Sequence, residues 1–243
     1  MNIRFDGRRV LITGAGKGIG REVATLLAGC AATVIAVSRT KSDLDSLASE
    51  IRCETIVADL SDAAEAHRAA IRAGRVDLLV NNAGISIPQS FLETTADAFD
   101  KTIAVNVRAA MIISQIVAKG MIERGGGGAI VNLSSQASMV GLADHTAYCA
   151  SKGALDQLTR VMALELGRHN IRVNAVNPTV TLTPMGEMAW GDPAKRDPML
   201  AKIPLGRFAK PRDVANAVAY LLSEQADLIT GITLPIDGGF LAT

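Results

Sequence analysis

A phenol and an ammonium stand four residues apart in the stretch HTAYCASKGALDQLT, where Tyr148 precedes Lys152. The chain has only two tyrosines, so this placement invites a chemical reading. On a helix, side chains at i and i+4 project from one face and meet. A phenol with a pKa near 10 is a poor proton carrier at neutral pH. A neighbouring cation favours the phenolate and tunes the group toward acid/base work. Taken alone, such a pair is equally an ordinary surface arrangement. Tyr220, in AVAYLL, has no such company and reads as core or interface.

A second feature is TGAGKGIG, residues 13–20. GxGxxG fails here, because Ile19 or Arg21 would have to be glycine, and GxxxxGK[ST] fails at Leu11. What remains is T-G-x-x-x-G-x-G, carried by Thr13, Gly14, Gly18 and Gly20. A glycine-rich turn between a strand and a helix lets backbone N–H groups approach a pyrophosphate at the helix N-terminus. The end of the next apolar run, VSRTKSD, places Ser38, Arg39 and Thr40 where an NAD-binding chain would carry an acid. A guanidinium and hydroxyls suit a ribose 2′-phosphate, and Lys17 adds a second cation. The sequence therefore favours NADP(H) over NAD, although Arg39 on its own also fits a solvated charge at a strand end.

These groups need elements to position them. RVLIT (9–13), TVIAVS (33–38), TIVADL (55–60), VDLLVNN (76–82), AIVNLSS (129–135), RVNAVNP (172–178) and ITLPID (232–237) are short apolar runs rich in β-branched residues. Between them lie helical patterns: GIGREVATLLAG, SDLDSLASEI with Ser42 as cap, AAEAHRAAIRAG to Gly74, 96–124, AYCASKGALDQLTRVMALELG and RDVANAVAYLL. The segment from Thr179 to about Lys210 has little periodicity. Strands that are apolar throughout are covered on both faces, and strand–helix alternation implies parallel pairing with right-handed crossovers. The prediction is an α/β fold: a single doubly wound parallel sheet of about seven strands, helices on both faces, spanning 1–243.

Bulk properties exclude other classes. With 25 basic and 24 acidic residues the net charge is about +1, and no charge run points to nucleic acid or membrane. Cys30, Cys53 and Cys149 lack CxxC spacing, and His67, His145 and His169 lack ligand-like neighbours, so no metal is expected. The N-terminal stretch carries Arg4, Asp6, Arg8 and Arg9 and does not resemble a signal peptide. No uninterrupted apolar run reaches the ~18 residues of a membrane span. The expectation is a cytoplasmic protein with reduced thiols.

TGAGKGIG, ADL (58–60), NNAG (81–84), NVRAA with Asn106, NLSS with Ser135, YCASK, NPTVTLT and PIDGG occur together in one order. In that order and spacing the chain resembles the short-chain dehydrogenase/reductase family from residue 5 to its end. The resemblance implies a Rossmann-type fold and a catalytic tetrad of Asn106, Ser135, Tyr148 and Lys152. Ser135 would hydrogen-bond the substrate oxygen, and Asn106 would hold a water in a proton relay behind Lys152. Toward the cofactor it implies Gly14, Lys17, Gly18, Gly20, Ser38, Arg39, Thr40, Asp59 and Leu60 at the phosphates and adenine, and Ile19 under the nicotinamide. Asn82 and Ala83 would lie near the adenosine ribose, with Tyr148, Lys152, Val180 and Thr183 at the nicotinamide end. Asp59 equally suits a helix N-cap.

Within the family the chain is most similar to the L-xylulose and dicarbonyl reductase group. AVSRT, SQIVAKGMI, SSQAS, KGALDQLT, IRVNAVNPTV, IPLGRFA and the terminal DGGFLAT carry that similarity. It implies NADPH-dependent reduction of L-xylulose to xylitol and of small α-dicarbonyls, by pro-S hydride transfer. Ser135, Gln136, Leu142, His145, Tyr148 and Trp190 would line the substrate pocket, under a lid at about 183–210. His145 equally reads as a cap, and Trp190 as a residue that packs the lid. The chain departs from that group at Gly84, where alanine is usual, and in MVGLAD (139–144). A sugar-alcohol dehydrogenase, a 3-oxoacyl reductase and a non-catalytic NADPH sensor stay open as readings. The paired helices near 98–124 and 148–168 resemble the family's tetramer-forming pair, so a homotetramer is expected.

Overall fold

The computed structural model describes residues 3–183, 186 and 190–242. Seven parallel strands form its sheet: β1 Arg9–Thr13, β2 Thr33–Ser38, β3 Glu54–Val57, β4 Leu78–Asn81, β5 Gly128–Leu133, β6 Ile171–Pro178 and β7 Thr233–Ile236. Their order is β3-β2-β1-β4-β5-β6-β7, so the direction of growth reverses between β1 and β4. That switch point opens a crevice at the strands' carboxyl ends, the usual ligand site of such sheets.

On one face lie α1 Gly18–Gly29, α2 Lys41–Ile51 and, across β5 and β6, α8 Pro211–Leu222. Val10 and Ile12 of β1 meet Val23, Leu27, Leu44, Val214 and Val218 there. On the other face lie α3 Ala63–Arg72, α5 Ala109–Arg124 and α6 Thr146–Leu166. Leu11, Ile35, Leu79, Ile130 and Val173 pack there against Ala66, Ile113, Val117 and Met121. Successive strand residues thus serve opposite cores, which explains why the runs are apolar rather than alternating.

α4 Ala96–Ile103 passes through a π-turn, Ala104–Arg108, into α5. The rod Ala96–Arg124 is long and apolar enough, by length and composition, to cross a membrane, yet half of its most apolar window is buried inside the fold. It is accounted for as a core helix of the sheet layer.

Several boundaries differ from the sequence reading. The predicted third strand ends at Val57 instead of Leu60, leaving Ala58–Leu60 as the crevice wall. Ser42 does not cap α2: Thr40 occupies the N-cap position, without a side-chain bond. Asp59 is not a helix cap either, because Asp62 fills that role for α3 by accepting from Ala64 and Glu65 N–H. The aperiodic segment contains a helix, α7 Pro193–Leu200, opened by Asp192 with Pro193 in the first turn. Its pattern is too short and too polar to register as amphipathic.

Candidate active site

The glycine loop joins β1 to α1, and its glycines are required for steric reasons. Gly14 has φ +66, and a Cβ there would stand 2.8 Å from Asn82 Nδ2 and 2.9 Å from Ala83 Cα. At Gly20 a Cβ would collide with the Gly14 carbonyl. Asn82 Nδ2 donates to the Thr13 and Gly14 carbonyls, at 3.0 Å each. Thr13 Oγ1 in turn accepts from Asn82 and Ala83 N–H, both at 3.0 Å. The turn after β4 therefore clamps the loop, and α1 begins behind Lys17 with no side chain capping its first N–H groups. Such a helix end is suited to a phosphate.

A cleft of about 420 Å³ opens over this loop. Gly14, Lys17, Gly18, Ile19, Ser38, Arg39, Thr40, Asp59, Leu60, Asn82, Ala83 and Thr183, all expected toward a cofactor, line it. Arg39 is exposed, and among the described residues it has no hydrogen-bonded or ion-paired partner, so its guanidinium is free for an anion. Lys17 is already paired, with Asp43 at 3.2 Å. Asp59 accepts from Ser61 N–H at 2.9 Å. That bond, with weaker help from Arg39 and Lys101, holds its carboxyl below the usual range against burial. These features fit a dinucleotide: a cradle that side chains would fill, open helix N–H groups, and an unpaired cation. Four expected contacts lie outside its lining: Gly20, Val180, Tyr148 and Lys152. Gly20 is a packing glycine behind the loop, and Val180 packs with Met199, Ile203 and Phe208 rather than lining the cleft.

The sequence missed Asp43, Ala58, Gly84, Ile85 and Val105 among the lining residues. Asp43 lies in the first turn of α2, and only the fold brings that turn beside Lys17. Gly84 connects the cleft to the chemistry. A Cβ built there would sit 3.4 Å from Asn106 Oδ1 and 3.6 Å from Lys152 Nζ, ordinary contact distances. Alanine would fit at this position, so the departure at Gly84 leaves the pair undisturbed.

Tyr148 and Lys152 stand in the first two turns of α6, with Lys152 Nζ beside Gly84 of the cleft wall. Lys152 is 4% exposed. Its Nζ donates to the Leu133 carbonyl at 2.6 Å and lies 5.5 Å from the centre of the Tyr148 ring. Burial lowers the Lys152 pKa to about 8, with Asp156 acting in the opposite direction. The expectation of a depressed phenol does not hold for the protein alone. Burial raises the Tyr148 pKa, outweighing a hydrogen bond from Ser135 that lowers it. The phenol therefore stays protonated, the form that can donate a proton to a carbonyl oxygen. Ser135 ends β5's extension, and its Oγ accepts from Ala137 N–H at 3.1 Å.

Asn106 occupies the π-turn, a local distortion frequent at functional sites. Its Nδ2 donates to the Ile85 carbonyl at 3.0 Å and to Ser151 Oγ at 2.9 Å, while Oδ1 accepts from Ile85 N–H at 2.8 Å. Ser151 Oγ donates onward to the Tyr148 carbonyl at 2.7 Å. The side chain thus latches α6 to the turn after β4, and both amide hydrogens are already engaged.

On the substrate side, Gln136 is 2% exposed, and its Oε1 has no partner among the described residues. His145 precedes α6 without capping it. Its Nδ1 lies 2.7 Å from the Ala143 carbonyl, and its ring meets Tyr148 edge-on at 6.2 Å. Leu142 sits in the same loop, accepting from His145 N–H at 3.2 Å. Trp190 meets Phe208 edge-on at 6.0 Å and joins the Met199–Ile203 cluster. The segment carrying it is closed at its base, where Leu182 N–H donates to the Ala209 carbonyl and Ala209 N–H to that of Val180. Part of the expected lid, residues 184, 185 and 187–189, lies outside the described residues.

Among the described residues, no group of three His, Cys, Asp or Glu side chains could hold a metal. The family model described as enoyl-(acyl carrier protein) reductase matches residues 14–241. L-xylulose reductase of Bos taurus is 55% identical over 244 residues, covering the whole of both chains. D-erythrulose reductase of Gallus gallus is 50% identical, covering all of this chain and 99% of that one. A Beutenbergia cavernae protein solved with NADP at low occupancy superposes with a TM-score of 0.96, at 35% identity and full coverage of both chains. Likeness of this extent, end to end in sequence and in fold, means that the chain belongs to the short-chain dehydrogenase/reductase family of oxidoreductases.

Proposed function

We propose that the protein is an NADPH-dependent carbonyl reductase that reduces L-xylulose to xylitol and also accepts small α-dicarbonyls and related ketoses. One observation carries the chemistry: a protonated, half-buried phenol and a buried ammonium share one helix face beside Gly84, at the end of a dinucleotide cleft. The likeness to L-xylulose and D-erythrulose reductases supports a short polyhydroxy ketone as substrate. The unpaired Arg39, flanked by Ser38 and Thr40, supports NADPH through its 2′-phosphate.

Each residue then has a task. The glycine loop and the α1 N-terminus hold the pyrophosphate, and Asp59 and Leu60 flank the adenine. Asn82 and Ala83 border the ribose, with Thr183 and Val180 toward the nicotinamide. A bound nicotinamide supplies the hydride that the carbonyl carbon accepts. Ser135 and Tyr148 donate hydrogen bonds to the carbonyl oxygen, polarising it. Tyr148 then passes its proton to that oxygen as negative charge develops there. Lys152 stabilises the phenolate left behind, and Asn106 keeps α6 in register through Ser151. Gln136, with its unsatisfied buried oxygen, and His145 meet the substrate hydroxyls, while Leu142 and Trp190 close the apolar side. Residues 183–210 act as the lid over this single domain.

α5 and α6 leave Met111, Val161 and Leu164 exposed, which supports assembly through these helices as a homotetramer. Mass in solution tests that. Cys30, Cys53 and Cys149 are all unpaired, in keeping with a reducing, cytoplasmic setting. A second reading, reduction of a 3-oxoacyl thioester, draws on the description of the matching family model. An NADPH-oxidation panel of L-xylulose, erythrulose, diacetyl and acetoacetyl thioester separates the two. L-xylulose is expected to give the highest kcat/KM, and a thioester ahead of every ketose would overturn the assignment.

A further inference from the structure

Asp156 lies one turn beyond Lys152 on α6, a carboxylate only 4% exposed and outside the tetrad. Carboxylates are rarely buried to this degree unless paired and fully hydrogen-bonded. Here Oδ2 accepts from Asn177 Nδ2 at 2.9 Å, while Oδ1 has no partner among the described residues. Asn177, fully buried on β6, also donates to the Ser135 carbonyl at 3.2 Å and to Ser138 Oγ at 2.8 Å. One buried carboxylate therefore touches the backbone of Ser135 through a single side chain and faces Lys152 along its own helix.

We propose that Asp156 is a positioning residue for proton transfer: its buried charge keeps the Lys152 side chain an ammonium, and through Asn177 it fixes the loop bearing Ser135. This rests on the reading of Tyr148 and Lys152 as the proton-transfer pair. Among the described residues no other charge near Lys152 competes for the role. Tyr148, Cys149 and Asp156 are the ionisable groups beside it on α6, with His145 at the helix start against the Tyr148 ring, and Leu133 of β5 and Asn106 of the π-turn do not titrate. Asp97, Asp100 and Lys101 of α4 are exposed, as is Arg108, which is bound to the Ser61 carbonyl. Arg172, the one ionisable residue of β6, is held at the strand's far end by the Leu221 and Ser223 carbonyls. Arg168 and His169 lie beyond the opposite end of α6. Asp156 is also the one charge that raises the Lys152 pKa, against burial that brings it to about 8.

The sign follows directly. Reduction needs the ammonium, which is present below about pH 8 and lost as pH rises through that value. Removing the opposing charge lowers the Lys152 pKa further, so the alkaline limb of the rate profile moves to lower pH. Asp156→Asn keeps an oxygen for the Asn177 bond and removes only the charge. Its alkaline limb in kcat for NADPH-driven ketone reduction is expected to fall by about half a unit or more. NADPH affinity is expected within about twofold of wild type, and Asp156→Glu should keep the wild-type limb. If the asparagine variant does not fold, Asp156→Ser removes the same charge in a smaller side chain. A limb that stays in place in the neutral variants, with the rate reduced evenly at every pH, would overturn the proposal and leave Asp156 a packing residue. Tyr148→Phe and Lys152→Met serve as controls. Turnover retained in both would instead sink the proton-transfer reading on which the inference rests.

Discussion

The dinucleotide half of the crevice and its substrate half are built on opposite terms. Around the glycine loop, specificity comes from absent atoms: Gly14 and Gly20 leave no room for a Cβ, and backbone groups do the holding. Across the switch point the site is made of side chains from three separate places. Gln136 follows β5, His145 and Tyr148 open α6, and Trp190 stands on a segment held at its base by Leu182, Ala209 and Val180 and packed through Met199, Ile203 and Phe208. A backbone-built site tolerates few substitutions and keeps its ligand class. A side-chain site keeps its geometry only while its supports hold, and can shift substrate without shifting chemistry.

Substitutions that strike one half and spare the other test this contrast, and the largest effect is expected at the proton donor. Tyr148→Phe should lower kcat by about 10³-fold while NADPH binding, followed by fluorescence titration, stays within a few-fold. A loss of binding in parallel would mean that the two halves are not separable. Next is Arg39→Leu. Removing a charge-assisted phosphate contact is worth ~2 kcal/mol, or about 30-fold in the KM for NADPH. NADH should change little, and equal losses for both cofactors would show that the arginine does not read the phosphate.

On the substrate side, Trp190→Ala removes the edge-on contact with Phe208. An aromatic pair is worth about 0.5–1.5 kcal/mol, so the KM for L-xylulose should rise by about 2- to 10-fold with the KM for NADPH unmoved. The smallest effect should come from Asp43→Asn, which releases Lys17 from its partner at the cleft wall. Exposed ion pairs contribute ~0.2–1 kcal/mol, so NADPH should bind up to about fivefold more tightly. Weaker binding would mean that Asp43 holds Lys17 in place rather than competing for it.

The legibility of the molecule follows the same division. RVLIT and GIGREVATLLAG match β1 and α1 residue for residue, because a buried parallel strand and an amphipathic helix each carry a local period. The third strand was read too long, since Ala58 and Leu60 are buried although the strand register ends at Val57, and apolar character alone does not mark that end. α7 went unread because eight residues with an internal proline, and with their large apolar members, Met199 and Leu200, together at one end, carry no helical period. Asp43 and Gly84 were missed at the site for a different reason: their roles depend on neighbours distant in sequence.

What the sequence determined by itself was the class of machine: strand–helix alternation, a glycine turn that only a phosphate-sized ligand would need, and a phenol one helical turn from an amine. Each of these is written in spacing along a single element. Tertiary structure alone decided the balance of protonation. Burial, which is set by every element packed around α6, raises the phenol, brings the lysine down to about 8 and leaves a buried carboxylate, Asp156, one turn beyond the lysine. Desolvation is a property of surroundings, and a linear chain does not state its surroundings.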